Sequence, residues 1–238
     1  MQRVLLQPSY ILHQRDYRNT SAILEILTRD HGRVSIVAKG IKAASGSQRR
    51  GLLQPFLPLL ISYAGKYELC TLTAVEAAGD DHSRLQGQAL FSGFYLNELL
   101  MYLLQRGDPH EQLFRDYADT VSRLKSQEAC EPVLRRFEMC LLQELGYGLA
   151  LEAEAITHHP IDPANRYYYD PLRGPVSVES VTSRQLPTVS GACLQALAHA
   201  DFSDRRYWAE MKILMRSVIG HHMDGRPLNS RELFQHDS

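Results

Sequence analysis

The stretch GRVSIVAKGIKAASGSQRRGLLQPF, residues 32–56, decides how the first third of the chain folds. Its first residues alternate in polarity, the period-2 pattern of a half-buried strand. Val34, Ile36 and Ala38 form an apolar face, and the other face carries Arg33, Ser35, Val37 and Lys39. Small, polar and basic residues follow, and GLLQPF leads back into apolar chain. The stretch therefore predicts a strand that ends in a basic loop.

The same stretch lies in a longer segment without carboxylates, since no Asp or Glu occurs from His31 to Tyr67. Cations near a phosphate backbone release condensed counterions, whereas an acid in the same groove repels that backbone. The pattern favours a nucleic-acid contact, and a solvated loop that is basic by chance remains the alternative. The candidate DNA-binding residues are Arg33, Lys39, Lys42, Arg49, Arg50 and Lys66.

The charge of the chain is divided unevenly, although the net value is −1. Residues 1–79 carry ten Lys or Arg against five Asp or Glu, and the remainder carries sixteen against twenty-two. Such an asymmetry hints at a polyanion-binding module joined to something else. Apolar and charged fractions of 44% and 22% are ordinary for a globular protein.

The first 79 residues have the pattern of short strands. Residues 10–13, 20–28 and 32–39 are rich in aliphatic residues, and residues 56–77 contain a hairpin signal at Ala64-Gly65-Lys66. Four to six short strands in this length predict a small β-barrel, because closure removes unpaired edges. Tyr63 or Tyr67 is either a base-stacking residue or part of the barrel wall.

After Gly79 the period becomes helical. Helices are predicted from Ser83 to about Gln105, from an N-cap at Asp108, and from Pro132 to Leu145. Prolines interrupt this pattern at about 147–187, which predicts an irregular or hairpin-like insertion. The expected class is α+β, with a barrel domain at 1–79 and a mainly α-helical domain at 80–238. Tyrosines of RYYY, residues 166–169, either pack in the insertion or stack on bases.

No catalytic motif is present, and neither a cofactor nor a metal is expected. Adjacent histidines at 158–159 and 221–222 diverge by about 100° on a helix and predict surface residues. The four cysteines lack metal-ligand spacing, which favours reduced thiols in a cytoplasmic protein. Neither a membrane span nor a signal peptide is expected. Two alternatives to a DNA-binding protein are a nuclease, which would need clustered carboxylates, and a purely protein-binding scaffold.

Five segments together resemble the RecO family of bacterial recombination mediators and DNA repair proteins. They are residues 11–42, GLLQPFLPLLISYAGKYEL, FSGFYLNELLMYLL, RRFEMCLLQELGYGLAL and GRPLNSRELF, in the family's order. The resemblance implies an N-terminal OB-fold β-barrel and an α-helical C-terminal domain. It also implies a non-enzymatic protein that binds single- and double-stranded DNA, anneals strands and, with RecR, helps load RecA onto DNA covered by single-strand-binding protein (SSB). A cytoplasmic, nucleoid-associated location follows from that role.

The resemblance further implies a receptor for the SSB C-terminal tail, which ends in acidic and apolar residues. Such a receptor needs an apolar pocket with cations at its rim. Arginines of the helical domain are the candidates: Arg123, Arg135, Arg136, Arg205, Arg206 and Arg216. Arg226 and Arg231 are expected to cap the fold. Many family members carry a four-cysteine zinc site in the insertion, but this insertion contains no cysteine, so no structural zinc is expected.

Overall fold

Five strands close into a small barrel at the start of the chain. A computed structural model describes residues 2–42, 47–65, 69–79, 83–126, 128–179 and 186–230. The strands lie in the spatial order β1-β2-β3-β5-β4, and β4 pairs with β1 to close the ring. Their bounds are β1 Gln2–Tyr17, β2 Ser21–Thr28, β3 Gly32–Ala38, β4 Leu59–Gly65 and β5 Cys70–Ala77.

The barrel core explains why the alternating residues form these strands. Ile36 and Ala38 of β3 point inward with Leu24 and Ile26 of β2, and all four are fully buried. A short helix, α1 (Ser47–Leu52), is followed by Leu53, which is also buried in this core. Strand β3 pairs with β5 in parallel and every other pair is antiparallel. This five-stranded Greek-key arrangement is that of an OB-fold, as predicted.

Two helices, α2 (Gly87–Leu103) and α3 (Glu111–Lys125), pack with the barrel. Strand β1 has a bulge between Ile11 and His13, which leaves the Leu12 carbonyl in need of a donor. The buried Asn97 of α2 donates its amide to that oxygen at 2.9 Å. The Tyr117 hydroxyl of α3 in turn donates to Asn97 Oδ1 at 2.6 Å. These two consecutive hydrogen bonds therefore connect both helices to the first strand.

Helix α3 begins later than the sequence predicted. Its N-cap is His110 rather than Asp108. The residues that precede α3 lie beside β3, because the Gly107 N–H donates a hydrogen bond to the Arg33 carbonyl at 3.0 Å. The Asp108 carbonyl also lies so close to Gly32 that a Cβ on this glycine would fall 1.9 Å from it. Tertiary contact with the barrel thus overrides the local capping signal.

The remaining described elements form a second compact unit, residues 129–227, whereas residues 1–128 and the chain from 228 form the first. This division differs from the change in periodicity at Gly79. The second unit contains α4 (Cys130–Glu144), a sheet of order β7-β6-β8, α5 (Gly191–Ala198), a 3₁₀ turn (Arg205–Tyr207) and α6 (Trp208–His222). The sheet strands are β6 Arg166–Asp170, β7 Gly174–Ser177 and β8 Thr188–Ser190.

The insertion is therefore ordered as a small antiparallel sheet. Tyr167 and Tyr169 alternate inward from β6 and are buried, in keeping with packing rather than base stacking. Burial raises the pKa of the Tyr169 hydroxyl well above its ordinary value.

Within the described ranges, no helix combines the length and the apolar character that crossing a membrane requires.

Candidate functional site

Arg33, the first candidate DNA-binding residue, is held in a largely buried ionic network. Its guanidinium donates to Glu25 Oε2 at 3.2 Å and to the Leu104 carbonyl at 3.0 Å. The opposite carboxylate oxygen, Glu25 Oε1, accepts from Arg106 at 2.8 Å and from the Ser35 hydroxyl at 2.6 Å. Burial lowers the pKa of Arg33, and the adjacent Glu25 carboxylate offsets part of that effect. Arg33 therefore joins β3 to the connection between α2 and α3.

The outer face of β3 is covered by protein over most of its length. Arg106 and Arg33 form an isolated parallel β-bridge through their backbones. Ser35 and Val37 are buried although their side chains point away from the barrel core. The alternation predicted from sequence is present, but the polar face is not a solvent face. A continuous cationic wall along β3 is therefore absent, and Arg33 is not available to a phosphate.

Cations at the end of β3 are placed differently. Lys39 is exposed, directly after the strand. Lys42 N–H donates to the Thr20 carbonyl at 3.1 Å, which brings this turn beside the β1–β2 hairpin tip. The Lys42 ammonium pairs with Asp16 at 2.6 Å, so much of its charge is compensated.

The hairpin tip supplies two cations that sequence reasoning left out. Arg15 and Arg18 are exposed, and the Arg18 guanidinium lies over the Tyr17 ring at 5.2 Å. Their proximity to Lys39 and Lys42 depends on the register in which Ala22 faces Ala38 and Asp16 faces Ala22. The sequence shows Arg15 and Arg18 next to a predicted turn, but it does not show the pairing register that brings them near Lys39 and Lys42.

The other barrel candidates lie on or beyond α1. Arg49 and Arg50 are exposed in the last turn of that helix, which has no acidic residue in its first turn. Lys66 and Tyr67 lie outside the described residues. Tyr63 is buried in the barrel, where desolvation raises the pKa of its hydroxyl, so it serves as wall rather than as a stacking platform. We call Lys39, Arg49 and Arg50, together with Arg15 and Arg18, the barrel cations.

The second unit contains a groove of about 750 Å³ beside the C-terminal half of α4. Met139, Leu149, Leu151 and Phe202 supply apolar walls, and aliphatic or backbone groups of residues 150, 153, 155, 198 and 200 fill the space between them. Such a lining suits apolar side chains of a peptide.

Two arginines, Arg136 and Arg173, bring positive charge to the groove, and His158 also lines it. The Arg136 guanidinium is exposed and lies over the buried Phe202 ring at 5.3 Å, an arrangement that fixes its position. Arg173 pairs with Asp170 at 2.8 Å. Glu152 is an exposed acid in the same lining, so an acidic ligand is expected to favour the side of Arg136 and Arg173.

Of the six arginines predicted at the peptide site, only Arg136 lines this groove. Arg135 cannot be a rim cation, because its side chain is 3% exposed and pairs with the fully buried Glu138 at 2.7 Å. Arg123 belongs to the other unit and pairs with Asp119 and Glu128. Three remain on the surface of the second unit away from the groove lining: Arg205, Arg206 and Arg216.

A buried carboxylate organises one wall of the groove. Glu154 accepts hydrogen bonds from the backbone of Ile156 and Thr157, from the Thr157 hydroxyl and from Ser177 N–H. Burial favours the neutral acid, but the hydrogen bonds outweigh it and lower the pKa of Glu154 below its ordinary value. Glu154 N–H and the Glu152 carbonyl also pair with residues 159 and 161, which forms a short hairpin.

Comparisons with known proteins cover nearly the whole chain. Residues 1–79 match the family model "Recombination protein O N terminal", and residues 84–232 match "Recombination protein O C terminal". The chain belongs to the RecO family. Proteins named DNA repair protein RecO are 46% identical in Methylococcus capsulatus, over 99% of this chain and 95% of the relative, and 43% identical in Aromatoleum aromaticum, over 98% and 96%. The RecO of Nitrosococcus oceani is 45% identical, over 98% and 94%.

The zinc site that the RecO resemblance implies does not fit the insertion of this chain. Residues 147–187 contain no cysteine. In the part of the chain that the structure describes, no three His, Cys, Asp or Glu side chains are grouped to hold a metal ion. The Glu154 carboxylate, the buried acid of this RecO insertion, is engaged by protein donors. Hydrogen bonds to Glu154 and packing of Tyr167 and Tyr169 hold the segment together.

Proposed function

We propose that this chain is a non-catalytic recombination mediator. It binds single- and double-stranded DNA, anneals complementary strands and acts with RecR to help load RecA onto SSB-covered DNA. Membership of the RecO family supports the class of function, and the exposed barrel cations are the observation that carries the DNA contact. In this proposal DNA contacts the exposed barrel cations and does not lie along the covered face of β3.

Annealing follows from the chemistry of such a surface. Two DNA strands repel each other as polyanions, and cations that neutralise phosphates reduce that repulsion. Contacts made by lysine and arginine to phosphate position a strand without reading its bases, so the base edges stay free to pair. Binding is expected to be sequence-independent and to weaken steeply as salt is raised.

A salt titration of the variant K39A/R49A/R50A tests the DNA surface. For single-stranded DNA the slope of log affinity against log salt should fall by about 2 in magnitude, since each lost phosphate contact removes about 0.7. Fluorescence anisotropy with a labelled oligonucleotide measures both the affinity and the slope.

The matched control is Arg29→Ala. Arg29 is exposed on the turn between β2 and β3, and its charge is already paired with Asp30 at 2.7 Å. Its removal should leave the slope unchanged. An unchanged slope in the triple variant would show that Lys39, Arg49 and Arg50 do not contact the DNA phosphates. Strand cleavage in the presence of Mg²⁺ would instead support the nuclease alternative.

The groove of the second unit is proposed as the receptor for the SSB tail. In this proposal an apolar residue of the tail lies against Met139, Leu151 and Phe202, and a carboxylate of the tail pairs with Arg136. An arginine held on an aromatic ring has lost part of its rotamer freedom before binding, which lowers the entropic cost of the contact.

Calorimetric titration of the full chain with the tail peptide tests this assignment. Arg136→Ala is expected to weaken peptide binding about tenfold or more, because it removes a charge-assisted contact of roughly 1.5–3 kcal/mol. A substitution at the neighbouring Arg135 is not a suitable control, because that side chain is buried and paired with the buried Glu138. Arg166→Ala changes an exposed arginine of the same unit outside the groove and should have no effect. Equal affinities in wild type and R136A would exclude this groove as the receptor.

A further inference from the structure

A cluster of arginines and aromatic rings lies at the start of α6, largely outside the peptide groove. The Arg205 guanidinium lies over the Trp208 ring at 5.3 Å. The indole Nε1–H of Trp208 donates to the Phe202 carbonyl at 2.8 Å, so the ring is fixed in place. The Phe202 ring lies under Arg136, and the two cation–π pairs are thereby connected through one hydrogen bond.

The basic character continues along one face of α6. Trp208, Lys212 and Arg216 follow at intervals of four residues, and four residues advance only about 40° around a helix. Arg216 is exposed, and Lys212 is half-buried. We call Arg205, Trp208, Lys212 and Arg216 the α6 stripe. Outside this stripe, residues 129–227 carry twelve Asp or Glu against seven Lys or Arg.

The charges of the stripe are unequally compensated. Lys212 pairs with Glu131 at 2.5 Å. Among the ion pairs of the described residues, neither Arg205 nor Arg216 has a carboxylate partner. By contrast, the neighbouring Arg206 is tied to Asp204 by three side-chain hydrogen bonds. Arg205 and Arg216 are therefore the members with a full charge to offer to a ligand.

We propose that the α6 stripe is a second binding site for single-stranded DNA, separate from the barrel cations. Arg205 keeps one guanidinium face on Trp208 and turns the other outward, where an unpaired base can stack on it. Arg216, further along the helix, is the phosphate contact. The inference rests on the proposed DNA-binding function and adds a surface to it.

A single strand fits this surface better than an acidic peptide does. The apolar pocket that a peptide needs lies in the groove, and no member of the stripe lines it. Stacking on a planar guanidinium requires unstacked bases, which a duplex does not present. Because Arg136 contacts both the groove and the ring of Phe202, the strand and the tail peptide would approach each other at that residue.

The intrinsic fluorescence of Trp208 tests the proposal directly, because the chain contains one tryptophan. Titration of the full chain with an oligothymidylate is expected to quench this fluorescence in step with binding. The variant R205A/R216A should lose about 0.7 from the magnitude of the salt slope, for the phosphate contact of Arg216, and should lose further affinity with the base-stacking surface of Arg205. Arg206→Ala, whose charge is already paired, is the matched control and should bind as wild type does.

The possible results separate this inference from the proposed function. A wild-type chain that fails to bind the oligonucleotide overturns both. Binding without a change in Trp208 fluorescence, together with an unchanged slope in R205A/R216A, overturns the stripe and leaves the barrel site standing. Quenching by the tail peptide but not by the oligonucleotide would assign the stripe to peptide and also overturn the inference. The quenching measurement on wild type does not depend on whether the double variant folds.

Discussion

At the scale of single residues, the clearest feature is that Glu25 determines the role of Arg33. The segment 31–67 is free of acids in sequence, yet β2 places the Glu25 carboxylate beside β3 through the pair Glu25↔Ser35. An arginine that appears unpaired along the chain is thus neutralised across the sheet. Buried charges persist only when they are paired and hydrogen-bonded. The two Nη groups of Arg33 meet that condition, whereas its buried Nε has no partner among the described residues.

Replacement of Glu25 by Gln is predicted to destabilise the fold by about 3 kcal/mol, because it leaves the buried Arg33 without a counter-charge. Urea denaturation measures the change as a lower midpoint with an unchanged slope. Asp30→Asn breaks an exposed pair with Arg29 and is the control, with little effect expected. A wild-type midpoint in Glu25→Gln would contradict the structural role assigned to the network.

At the scale of elements, the hairpin of residues 152–161 takes its shape from one carboxylate. The turn has few apolar contacts of its own, since residues 156–160 are exposed. Glu154 supplies acceptors to the N–H groups of Ile156, Thr157 and Ser177 and to the Thr157 hydroxyl. The groove wall formed by residues 149–155 depends on this arrangement.

Glu154→Gln is predicted to lower stability at pH 7 by about 1–3 kcal/mol, the effect of weakening buried hydrogen bonds to a charged acceptor. The pKa of Glu154 is lowered in the folded state, so its contribution is present above the unfolded value and is lost as pH falls through the folded value. The gap in stability between wild type and variant should therefore shrink as pH is lowered below about 4.5.

The exposed Glu152, two residues away on the same hairpin, is the matched position. Glu152→Gln should leave both the midpoint of unfolding and its pH dependence unchanged. The stabilising role of the Glu154 carboxylate is contradicted if the two variants have the same stability. It is also contradicted if the difference in stability between wild type and Glu154→Gln grows as pH is lowered.

At the scale of the whole molecule, the barrel is completed by the two helices that follow it. Asn97 donates to the carbonyl at the bulge of β1, and residues 104–107 pack against Arg33 at the start of β3. A barrel without them leaves Glu25 without Arg106 and leaves the Arg33 guanidinium without the Leu104 carbonyl. The compact unit that ends at Glu128 is consistent with this dependence.

A fragment of residues 1–79 is predicted to be much less stable than a fragment of residues 1–128. Thermal unfolding monitored by circular dichroism compares the two fragments, and hydrogen exchange shows whether β3 is protected in each. If 1–79 melts cooperatively at the same temperature as 1–128, the helices are not needed by the barrel and the domain limit at Gly79 stands as a folding boundary.

Parts of the candidate site were accessible from sequence and other parts were not. Exposure of Lys39, Arg49 and Arg50 follows from their place after a strand and on a polar loop. The covering of Arg33, the burial of Arg135 with Glu138 and the pairing of Lys42 with Asp16 each depend on a partner distant in space or on a helix face toward a neighbour. Periodicity reports which face of an element is polar, but it does not report what lies on that face.

The sequence by itself determined the OB-fold barrel, the change to helices after it and membership of the RecO family, because hydrophobic periodicity and family segments are local properties of the chain. Only the tertiary structure decided which cations are free, which of six arginines lines the peptide groove and which others lie along α6. The physical reason is that a charge acts through its surroundings, and those surroundings are assembled from residues far apart in the chain.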